Sequence, residues 1–140
     1  MRLWQKDLIE VLPRQQLVAQ WREASLAAGN ILQKGTPNHI LINKIMDYSL
    51  DHFISYSIMV RGEMTQRGYR TMDRVMDKII SVKKDFMLIP FSELYSGWMN
   101  EDYFRICYYN LKEKWMCGGI KDNEWEKIEN KRKELKIECP

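Results

Sequence analysis

Leu17, Trp21, Ala24 and Ala28 follow Pro13 at intervals of four, three and four, and that interval constrains what the chain can fold into. An α-helix brings residues three and four apart onto one face, so the run predicts a helix with a buried stripe. Pro13 suits the first turn, where the N–H that proline lacks would have no helical partner. Gly29-Asn30 offers a stop, which puts the helix from Pro13 to Ala28.

The same period returns along the chain. Phe53, Ser57, Val60 and Met64, widened by Leu50, Ile54 and Ile58, predict a second helix from near Ser49 to Gly68. Val75, Met76, Ile79, Ile80 and Val82 predict a third over residues 72–84. Asn100 caps a helix carrying Phe104, Cys107 or Tyr108, Leu111 and Trp115, which Gly118-Gly119 ends. Asp122 caps the last, whose sparse stripe of Trp125, Ile128 and Leu135 marks it as packed on one side only. Between these lie a loop with Gly35, Thr36, Pro37 and Asn38, a brief ordered piece at Ile40-Leu41-Ile42, and an aromatic connection from Phe86 to Trp98 broken by Pro90 and Gly97. Alternating strand patterns are missing and no linker divides the chain. The expected fold is mainly α, a compact single-domain helical bundle over residues 1–140.

Composition narrows the chemistry. Three cysteines, Cys107, Cys117 and Cys139, form no short-spaced pair, and His39 and His52 belong to no ligand pattern, so neither a disulfide framework nor a zinc site is expected. Metal-dependent chemistry would have to rest on carboxylates. No apolar run approaches the roughly 20 residues of a membrane span, and a cytoplasmic location follows as the expectation. The net charge is only +3, but residues 61–84 carry seven cations against three acids. That cluster reads either as a solvated helix face or as a surface for an anionic partner.

On the first helix, Gln16, Gln20 and Glu23 share a second face that Arg22 flanks. By itself this is a solvated polar stripe. The N-terminal Arg2-Leu3 pair, followed by Gln15, Leu17, Ala19, Trp21, Arg22 and Glu23, gives the stripe another meaning. This Gln-x-Leu-x-Ala-x-aromatic-Arg-Glu run resembles the small phage pyrimidine-dimer DNA glycosylases of the endonuclease V type. Two shorter similarities lie in His52 to Arg70, closing on Gln66-Arg67-Gly68-Tyr69, and in Leu111-Lys112-Glu113-Lys114.

The resemblance implies an enzyme without metal or cofactor, acting on double-stranded DNA. Its nucleophile would be the α-amine of Met1, expected to be free because methionine is usually retained before a residue as bulky as Arg2. Such an amine has an ordinary pKa near 7.7–8.0, leaving an unprotonated fraction at neutral pH. Glu23 would stabilise the cationic sugar and assist β-elimination. Arg2, Arg14, Arg22, Arg67, Arg70 and Lys114 are the candidate DNA contacts. The sequence departs from the family where Gln16 replaces a histidine, where Leu26 and Asn110 replace arginines, and where the charged segment from Asp122 to Lys136 replaces an aromatic tail. These departures bear on lesion choice. The alternatives are a non-catalytic binder of nucleic acid or a phosphorylated ligand on the same fold, using the 61–84 cations, and a small helical interaction module.

Overall fold

The computed structural model describes residues 2–33 and 39–140. After a 3-10 helix at Lys6–Val11 come α1 (Arg14–Leu32), α2 (Ile40–Met46), α3 (Leu50–Gln66), α4 (Asp73–Ile80), α5 (Glu101–Met116) and α6 (Asp122–Glu134). Among the described residues there is no strand, and the fold is mainly α. Helix α1 packs on α2, α3 and α4, while α6 lies against α5 and the 3-10 helix. Leu17, Trp21, Ala24 and Ala28 are all buried, as their spacing requires.

Helix α1 does not stop at Gly29-Asn30 but runs one turn further, to Leu32. The small side chains of Ala24, Ala27 and Ala28 are fully buried, and α4 crosses on this side, bringing Lys78 Nζ to 3.4 Å from Ser25 Oγ. Packing on α4 outweighs the roughly 1 kcal/mol that a glycine costs inside a helix. The expected loop residues Gly35, Thr36, Pro37 and Asn38 lie outside the described residues. The brief ordered piece at Ile40-Leu41-Ile42 is the start of α2.

Helix α3 closes on Gly68, whose φ of 80° is a left-handed value that only glycine adopts without cost. Helix α4 covers only part of 72–84, because the chain from Ser81 onward is drawn onto α3. Asp51 accepts from Lys83 Nζ at 2.6 Å and from the Met87 amide at 2.8 Å. Ser55 Oγ accepts from the Ile89 amide and His52 Nδ1 from the Tyr95 amide. Side chains one turn apart on α3 thus satisfy backbone donors of a segment that has no regular partner.

Asn100 caps α5 by accepting from the Tyr103 amide at 3.0 Å. Asp122, expected as a cap, is instead the first residue of α6. The amide of Lys121 donates to Glu124 Oε1, while Asp122 accepts from the Trp115 indole N–H at 2.8 Å. Trp115 stacks on Trp125 with ring centroids 5.1 Å apart, so these rings join the two helices.

Candidate active site

The chain enters the fold as an extended segment, residues 2–5, laid across α1, α3 and α5. Its backbone is held by side chains. Gln20 Nε2 donates to Arg2 O at 2.9 Å, and Gln20 Oε1 accepts from the Trp4 amide at 2.7 Å. Tyr56 Oη donates to Trp4 O at 2.5 Å and Tyr103 Oη to Leu3 O at 2.5 Å. Leu3 is fully buried and Trp4 nearly so, which adds apolar burial to these bonds. Burial pushes the Tyr56 and Tyr103 hydroxyls well above the usual phenol range, so both stay protonated as donors. Cys107, buried beside them, has its thiol pushed up by the same desolvation and is not poised as a nucleophile.

This corrects the reading of α1. Gln20 does not project with Gln16 and Glu23 into solvent; it is fully buried. It lies on the boundary between the apolar stripe and the polar face, where the N-terminal segment covers it.

Gln16 and Glu23 remain open to a cleft of about 860 Å³. Arg2 and Trp4 form one wall, Arg14, Gln15, Gln16, Val18, Ala19, Arg22 and Glu23 of α1 another, and Asn110 and Lys114 of α5 the third. Four cations therefore surround one carboxylate. Glu23, Arg22 and Lys114 form no ion pair with any described residue. The Arg2 guanidinium lies 5.2 Å from the centroid of the Trp4 ring, and that of Arg14 5.0 Å from the Tyr69 ring, cation–π contacts that orient both groups at modest cost. Such a site has a positive potential suited to a phosphate backbone, with one anionic group set inside it. Arg2 also faces a second groove of about 650 Å³ that the half-buried Trp98 and Tyr103 line beside Lys44.

Arg67 lies elsewhere. It pairs with Glu63 at 2.9 Å and donates to Leu12 O at 2.8 Å and Glu10 O at 3.1 Å, tying α3 to the end of the 3-10 helix. Arg70 is exposed and does not line the cleft. The rest of the 61–84 cluster is dispersed. Arg61 pairs with Asp73 and bonds Thr71, Lys83 pairs with Asp51, and Lys78 is turned onto α1. Met1, the candidate nucleophile, lies outside the described residues, although Arg2, bonded to it, lines the cleft.

The segments that build the first two walls of the cleft, residues 2–4 and α1, belong to a longer stretch with a known sequence profile. That of the pyrimidine dimer DNA glycosylases matches residues 1–77, more than half of the 140. The chain belongs to the pyrimidine dimer DNA glycosylase family. Membership supports DNA glycosylase function in DNA repair, with DNA as substrate, at the level of the family. No curated protein and no solved structure gives a significant match. Lys114 and Asn110 lie beyond the matched stretch, and α5 brings them to the same cleft. Tyr56 and Tyr103 were missed from the sequence, where each reads as one more aromatic at helical spacing. The available signal was that a buried tyrosine needs a partner for its hydroxyl. Among the described residues no group of three or more His, Cys, Asp or Glu is arranged to hold a metal ion, and no helix is long and apolar enough to cross a membrane.

Proposed function

We propose that residues 1–140 act as one domain, a DNA glycosylase with abasic-site lyase activity in which the α-amine of Met1 is the nucleophile and Glu23 the catalytic carboxylate. The observation that carries this reading is the cleft itself: Glu23, which forms no ion pair with a described residue, stands among four cations, walled on one side by the anchored segment that follows Met1. The unprotonated amine attacks C1′ of the damaged nucleotide, and the base departs with the electrons of the glycosidic bond. Ring opening and loss of the amine proton leave an imine. Its protonated form draws electrons from C2′, whose proton passes to a base, and the 3′-phosphate is expelled by β-elimination. Glu23 opposes the positive charge that grows on the sugar and assists the C2′ proton transfer.

Arg2, Arg14, Arg22 and Lys114 hold the phosphates on either side, and the partner is double-stranded DNA. The 61–84 cations are not needed for this; most of them serve the fold. Gln16 and Asn110 line the cleft as neutral amides, so lesion choice rests on hydrogen bonding and shape there more than on charge.

The test is to incubate tag-free protein with abasic and ultraviolet-irradiated duplex DNA and reduce with borohydride. A covalent protein–DNA adduct is expected, and absence of adduct on both substrates overturns the reading. Glu23→Gln should slow strand cleavage by about 10²-fold or more while leaving stability within about 0.5 kcal/mol, as for a change that breaks no pairing with a described residue.

A further inference from the structure

Gln20 stands one turn before Glu23 on α1, and its primary amide meets no solvent. Its side chain bonds Arg2 O and the Trp4 amide, and the Tyr56 hydroxyl, whose one hydrogen goes to Trp4 O, lies 3.0 Å from its Oε1. With Tyr56 on Trp4 O and Tyr103 on Leu3 O, four of the five main-chain polar groups from Arg2 O to Trp4 O are held by side chains of three helices. A strand in this position would take such bonds from a neighbouring strand. Here a single amide sets the register, because its donor and acceptor engage main-chain groups two residues apart.

We propose that Gln20, braced by Tyr56, is a positioning residue for the reaction. It locks residues 2–4 onto α1 and thereby presents the amine at the head of that segment to a substrate held beside Glu23. This rests on the reading that the Met1 amine is the nucleophile. A misplacement of about 1 Å in a reacting group can cost on the order of 10²-fold in rate, so looseness in a two-bond anchor next to the nucleophile reaches the chemical step directly. The requirement is for an amide. A carboxylate has no hydrogen for Arg2 O and would bury a charge with no cation among its bonded partners. An apolar side chain of the same length leaves Arg2 O and the Trp4 amide unpaired.

The experiment uses the full chain and an abasic duplex, with three readouts: the single-turnover rate of borohydride-trapped imine at saturating DNA, the Kd for an uncleavable duplex, and the thermal melt. Gln20→Met is expected to slow trapping about tenfold or more while Kd, to which Arg2 is one of four phosphate contacts, changes by a clearly smaller factor, a split that general destabilisation does not produce in protein that remains folded. Gln20→Glu supplies a readout specific to the donor. A buried carboxyl has a raised pKa, and its protonated form regains an O–H for Arg2 O, so the ratio of the Gln20→Glu rate to the wild-type rate should climb several-fold from pH 8 to pH 6. Should Gln20→Met fail to melt cooperatively, Gln20→Glu and Tyr103→Phe decide by the same split of rate from Kd. Trapping by these variants within about twofold of wild type, or a loss confined to Kd, overturns the positioning role and leaves the proposed activity standing. If the wild-type protein itself forms no adduct, the proposed activity falls and the positioning role with it.

Discussion

The backbone N–H of Tyr95 donates to Nδ1 of His52 at 3.0 Å, which requires that nitrogen to carry no proton and the ring to stay neutral. Tyr95 is fully buried in an aromatic cluster with Tyr48, Tyr56 and Trp98, and Tyr56 in turn braces the entry segment. Burial lowers the His52 pKa, with Lys6 adding to the effect and Asp51 and Glu93 opposing it.

A folded-state pKa below the unfolded value makes the unfolded chain bind the proton first as pH falls. The contribution of His52 is therefore complete above about pH 6.5, the ordinary histidine value, and is lost as pH drops through its lowered folded value. Thermal melts should give a lower Tm at pH 5.5 than at pH 7.5. His52→Gln, which keeps an acceptor that does not titrate, should shrink that difference; an unchanged difference would remove His52 as its source.

The cleft cations should act through phosphate. Arg22→Ala and Lys114→Ala are each expected to weaken duplex binding and to reduce the slope of log Kd against log salt by about 0.9. Because neither side chain pairs with a described residue, melting temperatures should stay close to wild type. Fluorescence anisotropy across a salt series measures the slope. An unaltered slope for both variants would take the phosphates out of this cleft.

Arg67 should behave in the opposite way. Arg67→Ala removes the donor to Leu12 O and Glu10 O and leaves Glu63, with its side chain only 16% exposed, without its partner. The expected cost is about 1–3 kcal/mol, read as a lower denaturant midpoint at unchanged m-value. DNA affinity should shift by less than about twofold. A variant of wild-type stability with weakened DNA binding would return Arg67 to the binding surface.

Gly29→Ala is expected to stabilise. An added Cβ would stand 3.2 Å from Lys78 Nζ and 3.4 Å from its Cε, the far end of a flexible side chain that can swing aside. The helix gains about 0.5–1 kcal/mol from alanine over glycine. A denaturant midpoint below wild type would show that Lys78 is fixed where it lies.

Much of this was legible in the residues, for a physical reason. Leu17, Trp21, Phe53, Val60, Phe104 and Leu111 all declare a buried face by spacing alone, and Asn100 and Gly68 mark helix ends by local hydrogen bonding and a left-handed φ. Gln20 was not legible. Side-chain spacing places it with Gln16 and Glu23, and only the tertiary course of residues 2–4 shows that this part of the polar face is covered. The end of α1 is hidden for a related reason, since Gly29 is a local stop signal that packing on α4 overrides. Arg67 and Arg61 counted as free cations until the fold showed what they bond. Arg2, Arg14, Arg22, Glu23 and Lys114 line one cleft, whereas Arg67 and Arg70 lie outside it.

Nζ of Lys114 lines the cleft, whereas the proposed nucleophile is the α-amine of Met1. The most direct measurement is to reduce the adduct formed with abasic duplex, digest it, and locate the deoxyribose remnant by mass spectrometry. The remnant is predicted on the peptide beginning at Met1, on the α-nitrogen, with the adduct abolished when that amine is acetylated or extended. A remnant on Lys114, or an adduct that survives blocking of the N-terminus, would contradict the account.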